Sequence, residues 1–502
     1  DQINIDAQVR NPGGNIDLTE ISIHPFSFRL AENPFSLTAD IQTPVSDPDF
    51  TAEAKGVLNL GMIKQVYPLD DMELNGTVRA DMTMAGHLSY IEKEQYDRFS
   101  ASGTIALSDM KLKMKEMPDV EIKKSLFTFT PKYLQLSETT VAIGKNDLTA
   151  DCRFENYMGY ALKRGTLKGV LNVRSNHLNL NDFMTATTDS TAQTSQASST
   201  EETASMIEVP QNIDFQMDAG LKEVLFDKMT FTNMNGKLIV KDGKVDMTNL
   251  SMNTMGGSVV MNGYYSTADP KKPEMNAGFR MENIGFAQAY KALDMVQQMA
   301  PIFENLKGNF SGNMHIRTLL DNQMSPVMDT MQGNGSLSTQ DLSLSGVKVI
   351  DQIAEAVKKP ELKEMKVKDM ALDFTIKDGR VSTKPFDIKL GDYVMNLSGS
   401  TGLDQTIDYS GKIKLPASAG DIAKLTTLDL KIGGTFSSPK VSLDTKSMTN
   451  QAVEAVTDKA ISEIGKKLGL DSATTANKDS VKEKVKEKAV EKALDFLKKK
   501  IK

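Results

Sequence analysis

Few residues in this chain could perform chemistry, and they lie far apart in the sequence. The four histidines are His24, His87, His177 and His315. None of them has the partner spacing of a zinc site, and acidic pairs such as Asp70 and Asp71 are common on any acidic surface. The sequence therefore predicts a protein that is not an enzyme and that uses no metal ion and no cofactor.

The sequence also lacks the usual motifs of catalytic and nucleotide-binding proteins. It contains no GxSxG elbow, no P-loop and no EF-hand calcium loop. The run Gly333-Asn334-Gly335 precedes a strand pattern, and we interpret it as a turn. The single cysteine, Cys152, excludes an internal disulfide and a cysteine-based metal cluster. We expect Cys152 to be buried rather than reactive.

The charge distribution bears on possible partners. The 502 residues carry a formal net charge of −7, while lysines are concentrated after residue 446. A mainly acidic body argues against nucleic acid as the principal partner. No run of about 18 apolar residues is present, so the sequence predicts no membrane span. The chain begins at Asp1 without a methionine, which suggests a piece of a longer protein.

Any functional surface must be formed by strands, because a period-2 pattern of apolar residues dominates the sequence. Apolar residues fall at Leu238 and Val240 and, after the Asp242-Gly243 turn, at Val245 and Met247. Side chains alternate across a strand, so this spacing gives an antiparallel sheet one apolar face and one polar face. Similar strand units recur along the chain. We therefore predict a mainly β fold, an elongated and curved antiparallel sheet of repeated strand units that forms a groove, with a few amphipathic helices.

The composition suggests four regions. Residues 1–184 form a repetitive β region, and the Ser/Thr-rich residues 185–205 form a disordered linker between domains or a loop on one sheet. Residues 206–445 resume the strand pattern, with a helix near 286–306. Residues 446–502 form a Lys-rich tail of two amphipathic helices, which could lie on an anionic bilayer or pack against protein.

Five motifs between residues 300 and 443 occur in an order that resembles the C-terminal region of AsmA-like proteins. In this sequence the motifs are Leu306-Lys307-Gly308, Gly333-Asn334-Gly335-Ser336-Leu337, the segment 347–357, Lys377-Asp378-Gly379-Arg380-Val381, and the segment 434–443 that reads GTFSSPKVSL. Each motif is weak alone, and their shared order makes the resemblance specific. Residues 1–299 agree with the family only in general character.

The resemblance implies a location and a role. AsmA-like proteins belong to the bacterial envelope, are anchored in the inner membrane by an N-terminal helix that this chain lacks, and extend into the periplasm. The family resembles repeating β-groove lipid-transfer proteins and is associated with outer-membrane biogenesis. The resemblance implies phospholipids and the inner membrane as partners. It leaves open the outer membrane and envelope proteins, including proteins targeted to a membrane.

Candidate residues for a lipid groove lie on the apolar face of the predicted strands. They are Phe127, Phe129, Leu134, Leu136, Leu238, Val240, Val245, Met247, Val259, Met261, Leu372, Phe374, Ile376, Phe386, Ile388 and Leu390. For each residue the alternative is ordinary core packing, because a sandwich or a closed barrel would also bury an apolar face. A second hypothesis for the whole protein is an envelope scaffold that carries no lipid and affects the assembly of outer-membrane proteins.

Overall fold

A computed structural model describes most of the chain. The described residues are 3–30, 32–63, 72–93, 95–96, 98–114, 118–161, 165–186, 207–344, 346–356, 360–364, 367–368, 370–414 and 427–444. They form 24 strands and seven α-helices, which confirms the predicted mainly β class with few helices. The two helices predicted within 446–502 lie outside the described residues.

The chain divides into two units. Unit 1 comprises Asp1–Thr254, Val260–Ala277 and Leu320–Ser325, and unit 2 comprises Met255–Val259, Gly278–Leu319 and Pro326–Lys502. The Ser/Thr-rich segment does not fall at this division. Strands on either side of that segment pair with each other inside unit 1.

Unit 1 is built from strands β1 to β14. Their bounds are β1 Ile3–Arg10, β2 Glu20–Leu30, β3 Asn33–Gln42, β4 Asp49–Asn59, β5 Met72–His87, β6 Ser100–Met114, β7 Val120–Phe129, β8 Tyr133–Ile143, β9 Asn146–Glu155, β10 Leu167–Ser175, β11 Leu178–Asn179, β12 Ile213–Phe226, β13 Met229–Lys241 and β14 Lys244–Thr254. From β1 to β10 each strand pairs antiparallel with the next. Five of the nine connections are two to six residues long, which antiparallel neighbours allow, and those after β1, β4, β5 and β9 are longer.

The exception to the antiparallel order lies at the Ser/Thr-rich segment. Strand β10 pairs in parallel with β12, and the short β11 also pairs in parallel with β12. A parallel pair requires a long crossover connection, which residues 176–212 supply. Residues 185 and 186 end a short helix within this connection, and the rest of the predicted linker lies outside the described residues.

The helices of unit 1 are short. They are α1 Leu60–Ile63, α2 Leu88–Glu92, α3 Tyr157–Ala161 and α4 Asn181–Ala186, with a 3-10 turn at Ile16–Leu18. Near β4 to β6, α2 and α3 enclose a buried cluster of Ile91, Phe99, Ala101 and Met158. This cluster is a local core beside the start of β6.

Strands β15 (Gly257–Ser266) and β16 (Glu274–Gly285) follow in the chain, and the elements after them belong to unit 2. These are α5 Phe286–Ala292, α6 Asp294–Met299, β17 Leu306–Leu319, β18 Gln332–Leu344, α7 Lys348–Ala356, β19 Ala371–Lys377, β20 Arg380–Leu390, β21 Tyr393–Gly402, β22 Ile407–Lys414, β23 Thr427–Gly434 and β24 Pro439–Asp444, with 3-10 turns at Pro301–Asn305, Met328–Thr330 and Pro360–Glu364. From β17 to β24 each strand pairs antiparallel with the next. The interpretation of Gly333-Asn334-Gly335 as a turn is wrong, because these residues lie within β18 and pair with both β17 and β19.

The segment predicted as one helix near 286–306 is helical but interrupted. Leu293 has the extended angles φ −121° and ψ 106° and separates α5 from α6. Pro301 then opens a 3-10 turn that ends at Asn305. Proline has no amide hydrogen and its ring clashes with the preceding helical turn, so Pro301 cannot continue α6.

The strand units that recur in the sequence also recur in the structure, with the same pair of strand lengths. An 11-residue strand followed by a 10-residue strand occurs at β8 and β9, at β14 and β15, and at β20 and β21. Only two residues separate the strands in each case, beginning at Gly144, Met255 and Gly391 respectively. The groove candidates Leu134 and Leu136 in β8 therefore occupy the same positions as Val245 and Met247 in β14.

Candidate functional site

One face of the unit 1 sheet carries two rows of side chains that cross thirteen strands. Directly opposed residues in neighbouring strands point to the same face, so the register defines the rows. The first row is Ile5, Phe26, Leu37, Ala54, Met82, Gly103, Phe129, Leu134, Phe154, Gly169, Phe215, Val240 and Val245. The second row is Ile3, Phe28, Phe35, Gly56, Ala80, Ile105, Phe127, Leu136, Cys152, Leu171, Met217, Leu238 and Met247.

We call the surface formed by these two rows the inner face. Every member is apolar or is glycine. At the usual strand spacing, thirteen strands extend the inner face over about 60 Å within unit 1. The parallel pairing of β10 with β12 does not interrupt the rows, since Gly169 is opposite Phe215 and Leu171 is opposite Met217.

The opposite face of the same strands is mostly polar. One of its rows is Ser27, Ser36, Lys55, Asp81, Thr104, Thr128, Gln135 and Arg153. Lys55 and Asp81 form an exposed ion pair with a nitrogen–oxygen distance of 3.1 Å. Val170 and Ile239 are apolar exceptions on this outer face and are exposed. The predicted division into an apolar and a polar face thus holds across unit 1.

The inner face is only partly shielded from solvent. Its large side chains from Phe26 in β2 to Met247 in β14 are half-buried, and only Ala80, Cys152 and Gly169 are buried. At the first strand Ile3 and Ile5 are exposed. Residues in a filled core are usually almost fully buried, whereas these side chains keep accessible surface on one continuous face.

Two aromatic rings meet on the inner face above a glycine. The ring centroids of Phe154 and Phe215 lie 5.6 Å apart. A Cβ atom at Gly169, which lies between them in the row, would stand 2.9 Å from a ring carbon of Phe215 and 3.0 Å from one of Phe154. The absence of a side chain at Gly169 therefore lets the two rings approach each other over β10.

Eight of the groove candidates from the sequence lie on the inner face. They are Phe127, Phe129, Leu134, Leu136, Leu238, Val240, Val245 and Met247. Sequence reasoning missed the aromatic members Phe26, Phe28, Phe35, Phe154 and Phe215 as candidates. The sequence does contain a signal for some of them, namely the alternation of apolar and polar residues. Phe26 and Phe28 flank a serine in β2, and Phe215 and Met217 flank a glutamine in β12.

The candidates of unit 2 are in a more buried setting. Ile376 and Leu390 are 5% and 1% exposed, and Leu390 is opposite the buried Tyr393. Nearby Met395 and Ile413, which are opposed in β21 and β22, are each 1% exposed. Phe374, Phe386 and Ile388 are half-buried. This face of unit 2 is therefore packed at Ile376, Leu390, Met395 and Ile413 and partly accessible at Phe374, Phe386 and Ile388.

Three further candidates lie elsewhere. Val259 is buried and Met261 is half-buried in β15. Leu372 lines a cleft of about 630 Å³ in unit 2 whose other walls include Ser311, Asn313 and Arg280. The lining of this cleft is mixed, since Met281, Leu337 and Pro385 lie beside charged residues such as Glu282 and Lys384.

Helix α7 covers the edge of the unit 2 sheet. The side-chain amide of Gln352 donates to the carbonyl of Pro439 at 2.9 Å, and its oxygen accepts from the amide of Val441 at 3.2 Å. Lys348 Nζ donates to the carbonyl of Ser437 at 2.9 Å. Ile350 and Ile353 are buried on the same helix. Gln352 thus satisfies backbone groups of β24 that a further strand would otherwise satisfy.

The ionisable groups on the inner face are few. Cys152 is the one titratable side chain in the two rows, and burial together with the charge of Asp151 raises its pKa to about 11. The thiol is therefore neutral at physiological pH. A surface of this kind can shield apolar groups but offers nothing that would bind a charged ligand or activate a nucleophile.

Three of the four histidines lie beside carboxylates. His24 Nε2 lies 2.7 Å from Asp40 Oδ2, and His177 Nδ1 lies 2.6 Å from Glu223 Oε2. His87 lies 3.4 Å from Asp47, and the pKa of that carboxyl is lowered mainly by hydrogen bonds from Ser89. Across the described residues no group of three His, Cys, Asp or Glu side chains could hold a metal ion.

Comparisons of the chain with known proteins give no relatives. No family model, no curated protein and no solved structure matches the chain. The resemblance to AsmA-like proteins therefore stays a prediction from the five motifs. Among the residues that the structure describes, no helix is both long enough and apolar enough to cross a membrane.

Proposed function

We propose that the inner face of unit 1 binds the acyl chains of phospholipids. The observation that carries this proposal is the partial exposure of two uninterrupted apolar rows over thirteen strands. Soluble proteins rarely leave a contiguous apolar surface larger than a few hundred Å² uncovered unless it binds something. An occupant of the inner face must itself be long and apolar, because the rows contain no charged side chain.

Acyl chains fit these requirements. Each methylene group shielded from water contributes about 0.8 kcal/mol, so a chain lying along the rows gains several kcal/mol without any polar contact. A headgroup would remain in solvent at an edge of the sheet. Release into a membrane needs no chemical step, which agrees with a site that has no catalytic constellation.

The wider role is proposed from the AsmA-like motifs. We place the protein in the periplasm of a diderm bacterium, tethered to the inner membrane by a helix outside this chain, where it aids phospholipid transfer toward the outer membrane. Two of the motifs coincide with hairpins in the structure. Lys377 to Val381 includes the turn between β19 and β20, and residues 434–443 include the turn between β23 and β24.

A second candidate function is a scaffold of the envelope that carries no lipid. The near-complete burial of Ile376, Leu390 and Met395 favours it, because that part of unit 2 is filled by its own side chains. In this alternative the inner face of unit 1 would be covered by another protein. Partners would then be envelope proteins whose assembly or targeting depends on this chain.

The first experiment is solvent extraction and mass spectrometry of lipids from protein purified without detergent, beside an unrelated periplasmic protein of similar size. The proposal expects about one or more phospholipids per chain and only background amounts in the control. Background amounts in both samples would favour the scaffold.

Two neighbouring residues provide matched variants for this experiment. Leu238 lies on the inner face, whereas Ile239 follows it in β13 and is 42% exposed on the outer face. Leu238→Asp should reduce the extracted lipid severalfold, because a carboxylate would enter the apolar rows. Ile239→Asp should leave the lipid content unchanged. Equal lipid content in the two variants would contradict the proposed site.

A further inference from the structure

The inner face contains one kind of side chain that mild oxidants can modify. The chain has 29 methionines, one cysteine and no tryptophan. Three of the methionines, Met82, Met217 and Met247, belong to the two rows of the inner face. The other sulfur in the rows is the thiol of Cys152, whose pKa is raised by burial, so it stays protonated and reacts slowly with oxidants. The methionine thioethers are therefore the oxidisable groups of this surface.

The three methionines keep accessible surface. All three are half-buried, like the other large side chains of the rows from β2 to β14. Met82 is opposite Ala54 in β4 and Gly103 in β6, so neither neighbour in its row has a side chain large enough to cover it. Oxidation of sulfur follows its exposure. Met331 and Met395 of unit 2, which are each 1% exposed, provide a protected comparison in the same chain.

The methionines lie at two separate places along the rows. Met217 in β12 and Met247 in β14 are both opposite Leu238 of the strand between them. Met82 lies in β5, which is six strand spacings from β12 in the order of pairing. At the usual spacing this separation is about 29 Å. Modification of the three side chains would thus alter the inner face near both of its ends.

A hydroperoxide oxidises a thioether by transferring one oxygen atom. The sulfur lone pair attacks the terminal oxygen, the oxygen–oxygen bond breaks, and a sulfur–oxygen bond forms. The departing oxygen takes the hydroxyl proton and leaves as an alcohol, or as water when the oxidant is hydrogen peroxide. Sulfur loses two electrons and the hydroperoxide gains them. The flexible apolar side chain becomes a polar sulfoxide.

A sulfoxide oxygen on the inner face would have no hydrogen-bond donor of adequate strength within the rows, because every member of the rows is apolar or is glycine. Water would satisfy the oxygen while the surface is empty. An acyl chain lying on the rows would displace that water without replacing its hydrogen bond, which is unfavourable. Oxidation of the rows and binding of an acyl chain therefore oppose each other.

We propose that Met82, Met217 and Met247 form a modification site at which oxidation by hydroperoxides switches off the binding of acyl chains to the inner face. This inference rests on the proposed function, because it concerns regulation of the same surface. The opposition also works in the other direction. A bound acyl chain shields the three thioethers from the oxidant.

The first test follows the formation of sulfoxide at each methionine by mass spectrometry of peptides. The full chain, freed of lipid, is exposed to hydrogen peroxide with and without saturating palmitate. The three methionines of the rows should react about tenfold faster than the two buried methionines of unit 2, and palmitate should slow them severalfold. Met295, half-buried in α6 of unit 2, is the control and should react equally in both samples. Rates at the rows that match the buried methionines, or protection no greater than at Met295, would overturn the proposal.

The second test measures palmitate affinity by calorimetry before and after the same oxidation. Oxidation should weaken binding to the wild-type chain by about tenfold or more. The triple variant Met82→Leu, Met217→Leu, Met247→Leu has no thioether in the rows at similar side-chain volume, so oxidation should leave its own affinity unchanged. The double variant Met331→Leu, Met395→Leu is the control and should lose affinity on oxidation as the wild type does. Equal losses in the wild type and the triple variant would overturn this inference alone. A reduced wild-type chain that binds no palmitate would overturn the proposed function as well.

Discussion

At the scale of single residues, the inner face depends on small side chains as much as on large ones. Phe154 and Phe215 meet because Gly169 leaves room between them. The sequence shows the two phenylalanines in strand patterns, but it could not show that a glycine from a third strand lies between them. That juxtaposition depends on the parallel pairing of β10 with β12, which period-2 alternation cannot predict.

Gly169→Ala should destabilise the protein by about 1–3 kcal/mol, since the added methyl group would overlap two packed rings. Thermal unfolding followed by circular dichroism measures the change. The matched control is Gly433→Ala in strand β23, where an added Cβ would find its nearest neighbour at 3.9 Å. The control should be neutral or slightly stabilising, because alanine restricts the unfolded chain more than glycine does. Equal losses at both glycines would contradict this account of Gly169.

A second prediction at this scale concerns the thiol of Cys152. Burial raises its pKa from 9.0 to about 11. At pH 8 the reactive thiolate is therefore about 100-fold less populated than in an unperturbed thiol, and steric burial slows attack further. Native protein should resist labelling by a maleimide or an aromatic disulfide at pH 8, and protein unfolded in urea should label completely. Rapid labelling of the native chain would show that the inner face opens at β9.

At the scale of elements, the hairpins were more predictable than the bends within strands. Asp242-Gly243 and Asp378-Gly379 both have positive φ angles, and both close hairpins that the sequence predicts. The bulges were not predictable. Glu138 in β8 and Asn249 in β14 occupy equivalent positions with φ angles of 54° and 49°, although neither residue stands in a turn motif.

The same kind of hydrogen bond is found at both bulges. The amide of Glu138 donates to Asp151 Oδ1 at 3.0 Å, and the amide of Asn249 donates to Asn262 Oδ1 at 2.8 Å. In each case the bulge leaves one backbone amide without a partner in the β-ladder. A side chain of the following strand accepts the hydrogen of that amide instead. The equivalent residue in β20 is Pro385, which has no amide hydrogen and needs no acceptor.

The hydrogen bond from the amide of Glu138 leads to a prediction for substitutions at Asp151. Asp151→Asn should be close to neutral, because an asparagine, Asn262, already accepts the equivalent hydrogen bond from Asn249 in β14. Asp151→Ala should cost about 0.5–1 kcal/mol, since it leaves the amide of Glu138 with water as its only acceptor. Urea unfolding curves of the two variants measure the difference. Equal stability of the alanine and asparagine variants would show that the hydrogen bond contributes nothing.

The contact of α7 with β24 gives a prediction for unit 2. Gln352→Ala removes both hydrogen bonds to the β24 backbone and should increase the rate of amide exchange at Val441 by about tenfold. Hydrogen exchange followed by mass spectrometry of peptides that cover β24 tests it. Gln298→Ala, an exposed position in α6, is the control and should leave β24 unchanged. Unchanged exchange in Gln352→Ala would mean that α7 does not protect this edge.

At the scale of the whole molecule, the sequence predicted the mainly β class and the alternation of faces, but not which apolar face is filled. Leu390 and Leu134 have the same residue type and similar strand patterns, yet Leu390 is 1% exposed and Leu134 is half-buried. The difference arises from what packs over each strand, and that is a long-range property. The two apolar rows of unit 1 therefore stay partly accessible, whereas most of the fully buried apolar side chains lie in unit 2.

If ligands bind to an accessible apolar surface without charges, their affinity should depend on the length of the acyl chain and not on salt. Binding of fluorescent fatty acids should strengthen by about fourfold for each added methylene group, which corresponds to about 0.8 kcal/mol, as long as the added methylene groups still contact the rows. Because the two rows have no charged member, the affinity should change little between low and high salt. Titrations with fatty acids of increasing length at two salt concentrations, performed on wild-type protein and on Leu238→Asp and Ile239→Asp, measure both effects. A flat dependence on chain length, or a loss of affinity in high salt, would mean that the ligand is held by its headgroup at a polar surface instead of along the inner face.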